Sequence, residues 1–205
     1  TSEGVTLTDR LGFVVDNSNS FAPTAGADFI LNPRIRTNES SDKDVIINSA
    51  DNSVVPATFK NFGFVRDGWV TDSDGVRCLR VLAGSELTIN YEYLSQFITE
   101  ANASVTVELD FATRNVTDMV TPILRMCSYD ADGFPRGFEM RPMEGVFMTQ
   151  DKRVYKDQDI SFGEGVRTHV AINIVNNLGA RGVNYIRMFV NGKINREISY
   201  APTDE

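Results

Sequence analysis

Short runs of apolar and β-branched residues recur along the chain, and Gly, Asn, Asp or Pro bounds each run. The alternation is clearest in residues 104–111, where Val105, Val107, Leu109 and Phe111 stand between polar residues. Because strand side chains alternate between two faces, one set should face a core and the other the outside. About eleven segments of this kind predict an all-β chain, arranged as a two-sheet antiparallel β-sandwich. The predicted strands are Val45 to Asn48, Phe59 to Val65, Arg77 to Leu82, Glu86 to Tyr91, Ser104 to Phe111, Pro122 to Tyr129, Gly137 to Arg141, Gly145 to Thr149, Arg167 to Val175, Tyr185 to Val190 and Ile194 to Tyr200.

Two regions depart from this pattern. Residues 93–103 carry apolar side chains at helical spacing, which predicts a short helix or turn between strands. The first 50 residues contain polar, turn-rich stretches with only short apolar segments between them. We therefore expect an extended N-terminal arm over residues 1–50, followed by one β-sandwich over residues 51–205.

Composition excludes some classes of function. The 205 residues include 20 Lys and Arg against 28 Asp and Glu, which gives a net charge of −8. Nucleic-acid binders gain affinity from clusters of Lys and Arg that contact phosphates. Because the basic residues of this chain are scattered singly and outnumbered by acidic ones, we expect no nucleic-acid binding. No apolar run approaches the roughly 18 to 20 residues that cross a bilayer, so we expect no membrane insertion. The chain starts at Thr1 and lacks a secretory signal, which suggests a processed product or part of something longer.

The two cysteines, Cys78 and Cys127, each lie in an apolar strand-like run. A pair of thiols is too few for a disulfide scaffold, and their spacing is not that of a metal knuckle. We expect both to be buried and reduced, with a disulfide as the alternative.

Several short motifs follow one another along the chain: Phe62-Gly63-Phe64, Asp67-Gly68-Trp69, the strand that begins at Val105, His169-Val170-Ala171 and the turn Val190-Asn191-Gly192-Lys193. Their order resembles that of concanavalin A-like (laminin G-like) jelly rolls. The resemblance covers about residues 59 to 200, and it implies fold more than activity.

More narrowly, residues 61–75 and 115–118 look like such domains in bacteriophage tail and other virion proteins. This resemblance implies a non-catalytic structural, decoration or host-attachment module, located on a virion or extracellular surface after assembly in the bacterial cytoplasm. Its implied partners are other virion proteins or copies of itself in a homo-oligomer. A carbohydrate-binding module that recognises host surface polysaccharide is the alternative.

Glycoside hydrolases share this fold, so an enzymatic reading needs a test. In laminarinase-like enzymes a strand carries Glu-x-Asp-x-x-Glu, and a retaining mechanism needs its two carboxyl groups about 5 to 5.5 Å apart. This chain has Glu108 and Asp110, but Thr113 stands at the acid/base position. Threonine cannot protonate a leaving oxygen, so we expect no enzymatic activity and regard the two acids as the polar face of a strand.

Two acidic turns offer the remaining candidate chemistry. Asp-x-Asp-Gly can supply oxygen ligands to Ca²⁺, and it is also ordinary turn chemistry because Asp caps its own turn and Gly supplies positive φ. Calcium is thus the single candidate cofactor, with the candidate ligands Asp72, Asp74, Asp130 and Asp132.

Other chemically useful residues have structural interpretations. His169 is the single histidine and lies in an apolar strand, so we expect a hydrogen-bonded structural role. A sugar site would need an exposed aromatic platform, but the one tryptophan follows Asp67-Gly68 at a strand start and is expected in the core. The aromatic candidates are Trp69, Tyr91, Tyr93, Tyr129, Phe134 and Tyr155.

Overall fold

A computed structural model describes residues 25–97, 104–129, 131–148, 154–157, 162–175 and 184–200. The chain divides into two compact units, Thr1–Phe97 and Ile98–Glu205. Every strand pairing in the described residues is antiparallel, which confirms the all-β prediction at this level. Within these residues, no helix is long and apolar enough to cross a membrane.

In residues 25–97, the described part of the first unit, there are three two-stranded sheets and one short helix. The sheets pair β1 with β2, β3 with β6, and β4 with β5. Helix α1 begins after Asn90, whose side chain accepts a hydrogen bond from the Glu92 backbone N–H (2.7 Å). The elements are β1 (Ile46–Ile47), β2 (Val54–Val55), β3 (Ala57–Lys60), β4 (Gly68–Thr71), β5 (Arg77–Arg80), β6 (Glu86–Ile89) and α1 (Tyr91–Ser95).

The core of the first unit forms around Ile46, Val55 and Trp69. Trp69 is buried as expected, and its indole N–H donates to the Lys43 carbonyl (2.6 Å). Asn48 is also buried, where it joins two chain segments. Its Nδ2 donates to the Asp28 carbonyl (2.8 Å), and its Oδ1 accepts from the backbone N–H groups of residues 30 (2.9 Å) and 50 (3.0 Å).

Residues 25–50 therefore contribute buried side chains to the same unit as residues 51–97. The division between the units falls between Phe97 and Ile98, a different place from the predicted division at residue 50. The assignment of residues 1–50 as an arm and 51–205 as one sandwich stays a prediction, and residues 1–24 lie outside the described part of the chain.

The described residues of the second unit form two four-stranded antiparallel sheets, with the strand orders β11-β10-β9-β8 and β14-β13-β12-β7. The elements are β7 (Ser104–Phe111), β8 (Leu124–Tyr129), β9 (Pro135–Met140), β10 (Gly145–Met148), β11 (Val154–Asp157), β12 (Thr168–Val175), β13 (Asn184–Val190) and β14 (Lys193–Tyr200).

One apolar cluster in this unit takes side chains from both sheets. Phe138 and Met140 come from β9, Val170 and Ile172 from β12, and Met188 from β13. Strand β12 lies inside its sheet, between β13 and β7, as its apolar sequence indicates. In β7 the predicted alternation is confirmed, because exposed and partly buried residues follow one another along all eight positions.

The Asn-Gly turn between β13 and β14 is confirmed as well. Asn191 has φ 50° and Gly192 has φ 76°, and Val190 pairs with Lys193 across the turn. The Asn191 side-chain oxygen also accepts from the His169 backbone N–H (3.0 Å), which joins the hairpin to β12.

Some predicted boundaries are wrong. The strand expected over Phe59 to Val65 ends at Lys60, because Asn61 (φ 60°) and Phe64 (φ 54°) take left-handed conformations that no strand contains. The helix expected over residues 93–103 is α1, and residues 98–103 lie outside the described part. Two strands that the pattern did not predict are β2 and β11, whereas β4 begins at Gly68, where the sequence indicated a strand start.

Candidate functional site

Three candidate residues of the second unit, Glu108, Asp110 and His169, lie on the outer face of the sheet β14-β13-β12-β7. Asp110 on β7 is paired with His169 on β12, and their Oδ1 and Nδ1 atoms are 3.2 Å apart. Both side chains are 38% exposed. His169 is therefore hydrogen-bonded as expected, although its ring lies on the solvent side of the strand.

Four residues away from Asp110 on β7 and from His169 on β12, one row of polar side chains crosses all four strands of this sheet. Thr106, Asn173, Arg187 and Glu197 are successive cross-strand partners in this row. Asn173 Nδ2 donates to Thr106 Oγ1 (3.0 Å), and Arg187 Nε donates to Glu197 Oε2 (2.6 Å). We call these four residues the polar row.

Aromatic side chains flank the polar row on β13. Tyr185 and Phe189 stand two positions before and after Arg187 and so share its face. The Arg187 guanidinium lies 4.9 Å from the centre of the Tyr185 ring. This arrangement could not be predicted from the sequence because it depends on strand register. The alternation of Tyr185, Arg187 and Phe189 with apolar residues is nevertheless visible in residues 184–190.

The structure places Glu108 and Asp110 on one face of β7, both exposed. Glu108 lies opposite Ala171, so its cross-strand neighbour offers no second carboxylate. Thr113 follows the end of the strand, and its carbonyl accepts from the Gly165 backbone N–H (2.7 Å). The face predicted for the two acids is thus confirmed, and the absence of enzymatic activity stays a prediction.

The first acidic turn connects β4 and β5. Asp72 Oδ1 accepts from Arg80 Nη2 (3.3 Å), and Asp74 Oδ1 accepts from the Val76 backbone N–H (3.1 Å). Gly75 has φ 82°, as this turn requires. Asp74 therefore caps the turn as the alternative interpretation describes, whereas the ion pair between Asp72 and Arg80 was not predicted.

The second acidic turn is described only in part, since Asp130 lies outside the described residues. Asp132, which is described, is exposed. Over the ranges that the structure covers, no three His, Cys, Asp or Glu side chains are grouped as a metal site requires. Calcium binding at Asp72, Asp74, Asp130 and Asp132 stays a prediction.

A buried ion-pair cluster on the sheet β11-β10-β9-β8 was not predicted. The Glu139 side chain is only 4% exposed, and its Oε1 lies 2.7 Å from Arg125 Nε. Its Oε2 accepts from Arg141 Nη2 (2.8 Å) and Nε (3.1 Å), while Arg141 Nη1 donates to Glu144 Oε1 (2.7 Å). Burial lowers the pKa of Arg141, but the two carboxylates outweigh it, so the pKa is raised and the guanidinium stays charged.

Cys127 lies beside this cluster. Burial of the thiol raises its pKa, and the negative charge of Glu139 raises it further against the opposing effect of Arg125. The Sγ atom lies 3.5 Å from the Phe138 carbonyl, to which it donates. Neither Cys127 nor Cys78 forms a disulfide, and both are only partly buried, so the expectation that they are buried is wrong.

The aromatic candidates have separate environments. Trp69 is buried and cannot serve as a platform, whereas Tyr91 and Tyr129 are exposed. Tyr93 packs edge-on against Phe29 and bonds to the Ser53 hydroxyl. Phe134 is partly buried, and the Tyr155 side chain lies outside the description.

Comparison with protein-family models, curated proteins and solved structures gives no match to this chain.

Proposed function

We propose that the chain is a non-catalytic structural or attachment module of a phage particle or similar surface assembly, built on a concanavalin A-like β-sandwich. The sandwich is supported by the apolar cluster of the second unit, which takes Phe138 from one four-stranded sheet and Ile172 from the other. The motif order over residues 59 to 200 supports the class of assembly by resemblance.

The observation that carries the non-catalytic part is the surroundings of Glu108 on the outer sheet face. Its cross-strand neighbour is Ala171, and the other acid on this face of β7, Asp110, is bonded to His169. A glycosidase needs two carboxyl groups at the scissile bond, one as general acid and one as nucleophile or base. Thr113 at the expected acid/base position supports the same conclusion.

The test separates particles from soluble protein in the native source. A lysate is sedimented through a density gradient, and the fractions are analysed by mass spectrometry for peptides of this chain and for the major particle proteins. We expect this chain to comigrate with the particle proteins at a constant ratio. Recovery only in the soluble fractions contradicts the proposal.

The alternative, a carbohydrate-binding module, is favoured by one arrangement on the same face. The polar row offers amide, guanidinium and carboxylate groups, and Tyr185 and Phe189 flank it. Sugar sites combine an aromatic surface with a few such polar groups. A glycan array, read with and without Ca²⁺, tests it: binding that Asn173→Ala abolishes and Asp118→Ala retains supports this alternative, and no binding removes it.

A further inference from the structure

Four asparagines in the described residues are exposed and have a left-handed backbone conformation. They are Asn52 (φ 64°), Asn61 (φ 60°), Asn115 (φ 53°) and Asn191 (φ 50°). The residues that follow them are serine, phenylalanine, valine and glycine, in that order, and the sequence contains no other Asn-Gly step. Asn191 therefore differs from the other three in the residue that comes after it.

The residue after an asparagine decides how readily the side-chain amide reacts with the main chain. In this reaction the backbone nitrogen of Gly192 forms a bond with Asn191 Cγ, the Cγ–Nδ2 bond breaks, and ammonia leaves with the proton of the Gly192 amide. A side chain on the attacking residue obstructs this ring closure, and glycine has none. Gly192 also lies in open space, because an added Cβ would find no atom within 4 Å beyond its chain neighbours.

Water then opens the cyclic imide, a succinimide, at one of its carbonyl groups. Cleavage of the new Cγ–N bond leaves aspartate in a normal main chain. Cleavage of the bond between the carbonyl carbon of residue 191 and the Gly192 nitrogen leaves isoaspartate, in which the main chain runs through Cγ and gains a methylene group. Because the ammonia is lost, neither product reverts to asparagine, and each adds a negative charge.

The folded turn holds Asn191 by two hydrogen bonds to β12. Its backbone N–H donates to the His169 carbonyl (2.8 Å), and its Oδ1 accepts from the His169 backbone N–H (3.0 Å). Ring closure rotates the Cα–C bond of Asn191, which the type I′ turn fixes, so the reaction proceeds from a locally opened turn. Opening stays local, because the pairing of β13 with β14 shifts register between Met188 and Phe189, close to the turn.

We propose that Asn191 is a site of spontaneous deamidation, and that its isoaspartate product detaches the β13–β14 turn from β12. The added methylene group makes the main chain too long for a two-residue turn, and it moves the side-chain oxygen away from the His169 backbone N–H. The aspartate product keeps Oδ1 as an acceptor and retains the turn. Strand β14 has β13 as its single partner in the described sheet, so the detached turn loosens an edge strand. This modification does not depend on the proposed function.

The reaction is followed in the purified full chain, incubated in mildly alkaline buffer made with heavy-oxygen water, in the folded state and in urea. Peptide chromatography with tandem mass spectrometry measures conversion at each asparagine and separates aspartate from isoaspartate. We expect both products at residue 191, each labelled with heavy oxygen, and at least about tenfold slower conversion at Asn61 and Asn115. Unfolding in urea should speed the reaction at Asn191 about tenfold or more, because it removes the two hydrogen bonds to His169.

Two variants separate the chemistry from its consequence. Gly192→Asn keeps a residue that tolerates a left-handed backbone but adds a side chain beside the attacking nitrogen, so conversion at Asn191 should slow at least about tenfold. Asn191→Asp is the matched control for the added charge. Hydrogen exchange at the His169 backbone N–H, measured by nuclear magnetic resonance, should be at least about tenfold faster in the isoaspartate form than in the unmodified chain. In Asn191→Asp the exchange rate should stay close to that of the unmodified chain.

Three results overturn the proposal. One is an unmodified residue 191 in the folded chain after the chain in urea has reacted completely. Another is equal conversion at Asn61, Asn115 and Asn191 in the folded chain, which removes the role given to Gly192. The third is an isoaspartate form in which the His169 backbone N–H exchanges as slowly as in the unmodified chain, because the turn then remains attached to β12.

Discussion

Glu139→Gln tests whether the buried ion-pair cluster stabilises the second unit. The substitution keeps the shape of the side chain and removes its charge, while Arg125 and Arg141 stay in place. Loss of one partner from a buried pair costs about 3 to 5 kcal/mol. Here the cost should be lower, about 2 to 3 kcal/mol, because Arg125 is 48% exposed and Arg141 keeps its 2.7 Å contact with Glu144.

The assay is urea unfolding followed by far-ultraviolet circular dichroism, since the single tryptophan lies in the other unit. With a slope of about 2 kcal/mol per molar urea, the unfolding midpoint should fall by about 1 M. Glu197→Gln is the matched control, because Glu197 forms a 2.6 Å pair with Arg187 whose two side chains are 42% and 37% exposed. An exposed pair contributes at most about 1 kcal/mol. Equal shifts for the two variants would refute the role assigned to burial.

Three further outcomes are expected. Asn48→Ala should lower the free energy of unfolding by about 2 to 4 kcal/mol, measured by tryptophan fluorescence in urea, because it removes three hydrogen bonds that the buried Asn48 amide makes to the backbone of residues 28, 30 and 50. Gly68→Ala should destabilise the same unit in the same assay, because Gly68 has φ 82° and an added Cβ would lie 2.5 Å from Asn38 Oδ1. A free energy of unfolding equal to that of the unsubstituted chain would contradict this prediction. In a Cys78→Ala background, Cys127 should react slowly with a thiol reagent at pH 8, because its raised pKa favours the neutral thiol. Adding Glu139→Gln should make this reaction faster, because the substitution removes a negative charge that raises the pKa of Cys127.

Local signals in the sequence predicted the elements that local chemistry determines. The alternation in residues 104–111 predicted β7 with the same bounds, and Asn191-Gly192 predicted its hairpin turn. These signals suffice because strand period and positive φ are properties of neighbouring residues. By the same reasoning, Glu108 and Asp110 were assigned to the exposed face.

Contacts between distant residues were not predictable in this way. Asn38 Oδ1 accepts a hydrogen bond from the Trp69 backbone N–H (2.7 Å), and Asn38 Nδ2 donates one to the Asp67 carbonyl (2.7 Å). Asn38 precedes both residues by about thirty positions in the sequence. Glu139 alternates with core residues, so the pattern places it on a solvent face, and only the pairing of β8 with β9 brings Arg125 to it. Such contacts depend on register, which one sequence does not specify for separate strands.

The most direct measurement of the central claim is an electron cryo-microscopy reconstruction of the particles that carry this chain. The account predicts repeated density into which the two four-stranded antiparallel sheets of the second unit fit, with neighbouring copies or other particle proteins in contact. A reconstruction in which every region of density belongs to other proteins would contradict it.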